Sequence, residues 1–185
     1  MILSQNLDRF KGVRSTARHT ILFDAGGDGE VLLSNIRHLG VDLTTIDMVV
    51  LSHIHADHTG GLRAFLQLNP QVTTYIPESF PASFQQAVKS CGVDVKTVGA
   101  PVQLSGQLFS SGEMGEEIRE QALILDTAKG LVVITGCAHP GVVNVVRKAK
   151  EHLNRDVYLL MGGSHLKGMS SSQVQGIITK LKEMV

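Results

Sequence analysis

Apolar residues along the chain fall into short blocks separated by longer stretches of helical period. Blocks rich in β-branched and aliphatic residues predict strands over residues 20–23, 48–52, 72–76, 95–98, 122–125, 131–135 and 157–161. Between them, apolar positions recurring on one face predict helices over residues 30–39, 59–68, 81–90, 142–152 and 171–184. The stretch Asp126, Thr127, Ala128, Lys129, Gly130 reads as a hairpin turn. The alternation predicts an α/β (or α+β) fold, strands laid against covering helices, in a single domain over residues 1–185.

A weak internal echo runs through this pattern. Gly29 opens a helix, a strand follows, and Ser52 and His53 close it; Gly141 opens a helix, a strand follows, and Ser164 and His165 close it at the same separation. Chance similarity of two helix-strand units is the plain alternative. If the echo is structural, His165 holds the place in its unit that His53 holds in the other.

The chemistry concentrates where a strand ends. SHIHADHTGG, residues 52–61, puts His53, His55, Asp57 and His58 directly after the apolar run ending at Leu51. In extended backbone alternate residues share a direction, so His53, His55 and Asp57 are expected to converge while His58 turns away as a helix begins. Imidazoles suit zinc, iron or manganese, and an adjacent carboxylate adds a harder donor for a second divalent ion. Gly60 and Gly61 are expected to let the backbone pass close to the ions. Taken singly each residue has a plainer role, Asp57 as a helix cap for instance; four in this spacing are a much narrower signal.

Charge and composition remove other classes. Lys plus Arg and Asp plus Glu both total 17, with no basic run, which argues against general nucleic-acid binding. Two cysteines, Cys91 and Cys137, give no disulfide framework and fit a reducing compartment. No stretch has the ~18 apolar residues of a membrane span, and the first residues lack a signal-peptide core. A soluble, cytoplasmic protein acting on a small molecule is expected, with no membrane or nucleic-acid partner.

HxHxDH followed by two glycines resembles the metallo-β-lactamase superfamily. ILFDAGGDG (residues 21–29) is similar to that superfamily's early strand ending in an aspartate, here Asp24. GCAHPG (residues 136–141) is similar to its later strand-end histidine, here His139. LLMGGSHL (residues 159–166) is similar to a segment of the branch containing archaeal dihydropterin-ribofuranosylaminobenzene phosphate synthases. The resemblance implies a four-layer αββα sandwich with metals at one edge. It implies a first ion on His53, His55 and His139, a second on Asp57 and His58, His165 as an extra ligand, and Asp24 bracing the ligand loop from behind. Zinc is the expected cofactor, as one or two divalent ions, with iron or manganese also suited.

Measured against that pattern the chain is short at both ends. Where a bridging Asp or Cys is usual it carries Met161, Gly162, Gly163, Ser164 and His165, and it has no last histidine after a further helix and strand. The implied activity is hydrolysis of an ester, amide or phosphoester by metal-activated water, with Asp57 orienting that water or taking its proton. Two alternatives stay open: a transferase or synthase acting on a phosphorylated ribose-aromatic or pterin substrate, and a non-catalytic metal-binding domain. In the last case the domain either holds one ion for structure or functions only when a partner chain completes the sheet; a homo-oligomer is a further expectation. A ribonuclease is disfavoured by the balanced charge and 4% aromatic content.

Other features read more plainly. AGGDGE (residues 25–30) could form an anion nest, but Asp28 capping the helix is preferred. Ser110, Ser111 and Gly112 read as a polar loop. Cys137 could share the direction of His139 as a soft ligand, although packing as a small hydrophobe is commoner. Cys91 reads as structural, and His19, His38 and His152 as ordinary surface residues.

Overall fold

The computed structural model describes residues 1–4 and 19–184. Two compact units emerge, the first built from residues 1–4 and 19–99, the second from residues 100–184.

The first unit is a five-stranded sheet in the order β1 (Ile2–Ser4), β2 (Thr20–Phe23), β3 (Met48–Val50), β4 (Thr73–Pro77), β5 (Asp94–Val98). β1 runs antiparallel to β2, and β2 to β5 are parallel, with Phe23 opposite Val50 and Val50 opposite Tyr75. Parallel strands need crossovers, supplied by α1 (Gly29–His38), by α2 (Ala56–Thr59) with α3 (Leu62–Leu68), and by α4 (Ala82–Lys89). The apolar faces of α1 and α3 close over the sheet. Ile36, Leu62, Phe65 and Leu66 form one cluster with Leu22, Val49, Leu51 and Ile76. Asp28 caps α1 by accepting from the Val31 N–H at 2.9 Å, so the preferred reading of AGGDGE holds.

The second unit is also five-stranded, in the order β10 (Val157–Gly162), β9 (Gly130–Thr135), β8 (Leu123–Thr127), β7 (Leu108–Ser110), β6 (Val102–Ser105). β9 and β10 are parallel and joined by α5 (Val142–Leu153); the other pairs are antiparallel, and β8 and β9 form the expected hairpin. Val142, Val145, Val146 and Ala149 of α5 are buried at helical spacing against Leu131, Val133 and Val157. α6 (Ser171–Lys182) starts at a capping box made by Ser170 and Gln173.

The internal echo is structural: β2–α1–β3 and β9–α5–β10 are each a parallel βαβ unit, with His53 and His165 just past its second strand. Three strands escape the hydrophobic pattern. β1, β6 and β7 hold at most two consecutive apolar residues, against three in the equally short β2 and β3, so no apolar block marks them. The helix predicted over 59–68 is two pieces, because Gly60 and Gly61 interrupt it where it meets another loop. A Cβ at Gly60 would stand 2.3 Å from the Gly27 carbonyl oxygen, and one at Gly61 would stand 2.2 Å from that of Ala25. These glycines therefore serve a close approach between backbones of the first unit. Ser110 and Ser111 are fully buried rather than in a polar loop. The Ser110 hydroxyl donates to Gln121 at 2.6 Å, and the Ser111 hydroxyl accepts from the Ala122 N–H at 2.8 Å. No helix among the described residues is long and apolar enough to cross a membrane.

Candidate functional site

In the first unit the donors gather past the ends of β2 and β3. Asp24 follows β2 in a left-handed conformation (φ 57°) that aspartate tolerates better than most residues. Its carboxylate accepts from the Ser52 N–H, the Ser52 hydroxyl and the His58 Nδ1, each at 2.7 Å. Ser52 and His53 are fully buried, with His53 Nδ1 at 2.9 Å from the Ser52 hydroxyl oxygen.

These contacts dictate proton positions. A serine hydroxyl has one proton and a carboxylate none, so the hydroxyl proton points to Asp24 and His53 Nδ1–H donates to the hydroxyl oxygen. His58 likewise holds its proton on Nδ1, facing Asp24. With Nδ1 of both rings engaged in this way, Nε2 is the atom each ring leaves for a metal. His53 Nε2 stands 3.1 Å from His55 Nδ1. Two imidazole nitrogens at this separation fit ligation of a shared cation.

The expected division of the loop is partly overturned. His58 does not turn away: its ring centroid lies 4.1 Å from that of His53. Asp57 is the exposed member, its side chain 73% accessible, with its carboxylate 3.5 Å from His58 Nε2. Extended alternation ends at His55, because α2 begins at Ala56 and helical geometry carries residues 57 and 58 round to a different pairing. Asp57 and His58 thus face one another.

In the second unit the donors sit past the ends of β9 and β10. Glu120, 1% exposed, holds residues 136–139 by their main chain. Its Oε1 accepts from the N–H groups of Gly136 (3.0 Å), Cys137 (3.0 Å) and Ala138 (2.9 Å), and its Oε2 from that of His139 (2.9 Å). Glu120 is itself fixed by a two-way backbone bridge to Met114. The loop beyond β10 is latched to the same segment, since Gly163 N–H donates to Gly136 at 2.9 Å and the Thr135 hydroxyl to Gly163 at 2.7 Å. His139 and His165 are brought together, their ring centroids 4.4 Å apart. The Cys137 sulfur lies within 4.8 Å of a His139 ring nitrogen. Ala138 (φ 61°) and His165 (φ 51°) are both left-handed, strain of the kind that collects at functional sites.

Glu120 was missed in the sequence. In GEMGEEIRE it looks like its neighbours Glu116 and Glu117, and no spacing separates a buried acid from exposed ones. His19, expected as an ordinary surface residue, is instead half-buried: its Nδ1 is 2.7 Å from Asp47, which also accepts from the Thr20 N–H and ties the starts of β2 and β3.

Residues 13–152 match the family described as the metallo-beta-lactamase superfamily. The chain belongs to that superfamily. Among its relatives, a 7,8-dihydropterin-6-methyl-4-(β-D-ribofuranosyl)-aminobenzene-5′-phosphate synthase of Methanocaldococcus jannaschii is 28% identical over 210 residues, spanning 89% of this chain and 71% of the relative. Among solved structures, a metal-dependent hydrolase of the beta-lactamase superfamily superimposes with a TM-score of 0.71 at 24% identity, over 97% of this chain and 80% of the other. A quorum-quenching N-acyl homoserine lactone lactonase superimposes with a TM-score of 0.54 at 12% identity, over 82% of this chain and 78% of the other. These likenesses establish the metallo-beta-lactamase fold.

Proposed function

We propose that the chain is a metal-dependent hydrolase that uses an activated water on an ester, amide or phosphoester bond of a small molecule. The observation carrying this reading is the His53–His55 nitrogen pair, backed by the Ser52–Asp24 relay that engages His53 Nδ1 and leaves Nε2 facing His55. Superfamily membership supports assigning His139 to the same ion as His53 and His55, and Asp57 and His58 to a second, with His165 as a further ligand. Zinc suits this donor set best, and iron or manganese also fit imidazole and carboxylate ligands.

A bound divalent ion would supply Lewis acidity, polarising the substrate's carbonyl or phosphoryl oxygen and acidifying water towards a pKa of ~7. The residues do the remaining work. Asp24 orients His58 directly and His53 through Ser52, so neither ring has to change tautomer to ligate. Asp57, the exposed carboxylate of the set, takes the proton of the attacking water. Glu120 holds the main chain that carries His139.

The test is metal content and turnover together. Protein purified without added metal is expected to carry one or two equivalents, and His55→Ala is expected to lose first-site metal and hydrolysis of esters, lactams and phosphodiesters while staying folded. Full hydrolysis by metal-free variant protein would refute the assignment.

A second reading, a synthase or transferase on a phosphorylated substrate, is favoured by the name of the methanogen relative and by one structural feature. A groove of ≈ 610 Å³ in the second unit is lined by His139, Asn144, Arg147 and Lys148, with Glu116 and Glu151 beside them; its two cations are of the kind that hold a phosphate. Spectra of the cobalt-loaded protein that shift on adding ribose 5-phosphate would favour this reading; indifference would count against it.

A further inference from the structure

We propose that Cys137 is a sulfur ligand of the metal centre, an inference that rests on the metal-dependent reading above. The two cysteines of the chain sit in contrasting surroundings. Cys91 packs against the apolar cluster of the first unit, as a structural cysteine does. Cys137 lies outside the apolar cluster of the second unit, although its neighbour Ala138 is fully buried inside it. It is half-buried, in a turn whose other side chains include an imidazole.

The distances suit coordination. Zinc–sulfur bonds are about 2.3 Å and zinc–nitrogen bonds about 2.0–2.1 Å, so two such donors on one tetrahedral ion stand about 3.6 Å apart. The Cys137 sulfur and a His139 ring nitrogen lie within 4.8 Å of each other, so the sulfur has at most about 1 Å to close, a movement that rotation about χ1 supplies. The backbone needs no adjustment: the N–H groups of residues 136–139 are all held by Glu120, so the direction of the sulfur depends on one side-chain torsion. With the His165 ring 4.4 Å from that of His139, the second unit presents two imidazoles and a thiol from two latched loops.

Charge points the same way. His139 and His165 are neutral donors, and residues 162–164 of the facing loop, Gly-Gly-Ser, bring no carboxylate or thiol. That loop runs against the cysteine itself, since a Cβ at Gly163 would stand 2.9 Å from the Cys137 Cα. Cys137 is therefore the anionic donor of this set. On binding, the S–H proton passes to solvent and a sulfur–metal bond forms, with no change of oxidation state. A sulfur in the ligand set biases the site towards zinc, iron or cobalt and away from magnesium or calcium.

The test uses Co(II) added to the full chain after removal of bound metal. Visible bands report ligation of the ion, and an intense near-ultraviolet sulfur-to-cobalt charge-transfer band reports a Cys ligand. The wild type and Cys91→Ala are expected to show both; Cys137→Ala is expected to keep visible bands, lose the charge-transfer band and bind at least 10-fold more weakly. Visible bands without the charge-transfer band in the wild type, or its survival in Cys137→Ala, would overturn the ligand role and leave the metal reading standing. Absence of all cobalt bands in the wild type would overturn both. A second measurement needs no variant: bound Co(II) should protect Cys137, and not Cys91, from alkylation as read by peptide mass, and equal labelling of Cys137 with and without the ion would refute the proposal.

Discussion

Replacing Glu120 by Gln tests how the second donor set is held. The carboxylate accepts four main-chain N–H bonds, all between 2.9 and 3.0 Å, from consecutive residues 136–139. A carboxamide has one acceptor oxygen. Turned to keep the three bonds at the Oε1 position, it presents its NH₂ to the His139 N–H; turned the other way, it abandons three donors for one. The favoured orientation leaves one buried N–H unsatisfied, at about 1–3 kcal/mol, and turns three charge-assisted bonds into neutral ones of roughly half the strength. Relief from burying a charge offsets part of this loss. The net expectation is a destabilisation of about 2–4 kcal/mol, read as a lower urea midpoint at unchanged slope. In the folded variant, loss should fall hardest on His139, so Co(II) affinity should drop while the visible band shape indicates a missing or displaced imidazole. An unchanged midpoint together with unchanged cobalt affinity would show that the four contacts do not anchor the loop.

Two further outcomes follow from the other polar groups. Asp24→Asn keeps an acceptor for Ser52 but cannot hold both the Ser52 hydroxyl and the His58 Nδ1–H as a carboxylate does; chelator competition should show metal affinity reduced about 10–100-fold, and wild-type affinity would contradict the orienting role. Lys150, 2.8 Å away, holds the Asp156 carboxyl below the ordinary carboxylate range through its hydrogen bond and its charge. Because the folded-state value is the lower one, Asp156 contributes its stability fully above the unfolded value of about 3.9 and loses it as pH falls through the folded value. The melting-temperature gap between wild type and Asp156→Asn should thus be constant near neutrality and close in acid, whereas a pH-independent gap would contradict the pairing.

How much was legible in the sequence depended on whether the signal was local. Apolar blocks such as ILF and MVVL gave the parallel strands because both faces of such strands are buried and little polarity interrupts them. Val142, Val145, Val146 and Ala149 gave α5 through spacing alone. The histidine cluster stood out because its members are adjacent in the chain, and the equal separations from Gly29 and Gly141 pointed to a repeated helix-strand unit. The handedness of the 53–58 loop was not legible, since nothing in HxHxDH says that helical geometry starts at Ala56 and brings His58 back to His53. Glu120 was not legible either: its partners are amide groups, which every sequence possesses, and they lie 16 to 19 positions away.

The two carboxylates that back the donor loops differ in what they grip. Asp24 grasps a hydroxyl and an imidazole, so position 24 is tied to the identities of Ser52 and His58, and drift at any one of the three requires change in the others. Glu120 grasps only amides, and is blind to which side chains those amides carry. The turn it secures can therefore exchange its chemistry, residue by residue, without loosening its shape. Within one chain, a loop committed to its present side chains coexists with another on which new ones can be tried.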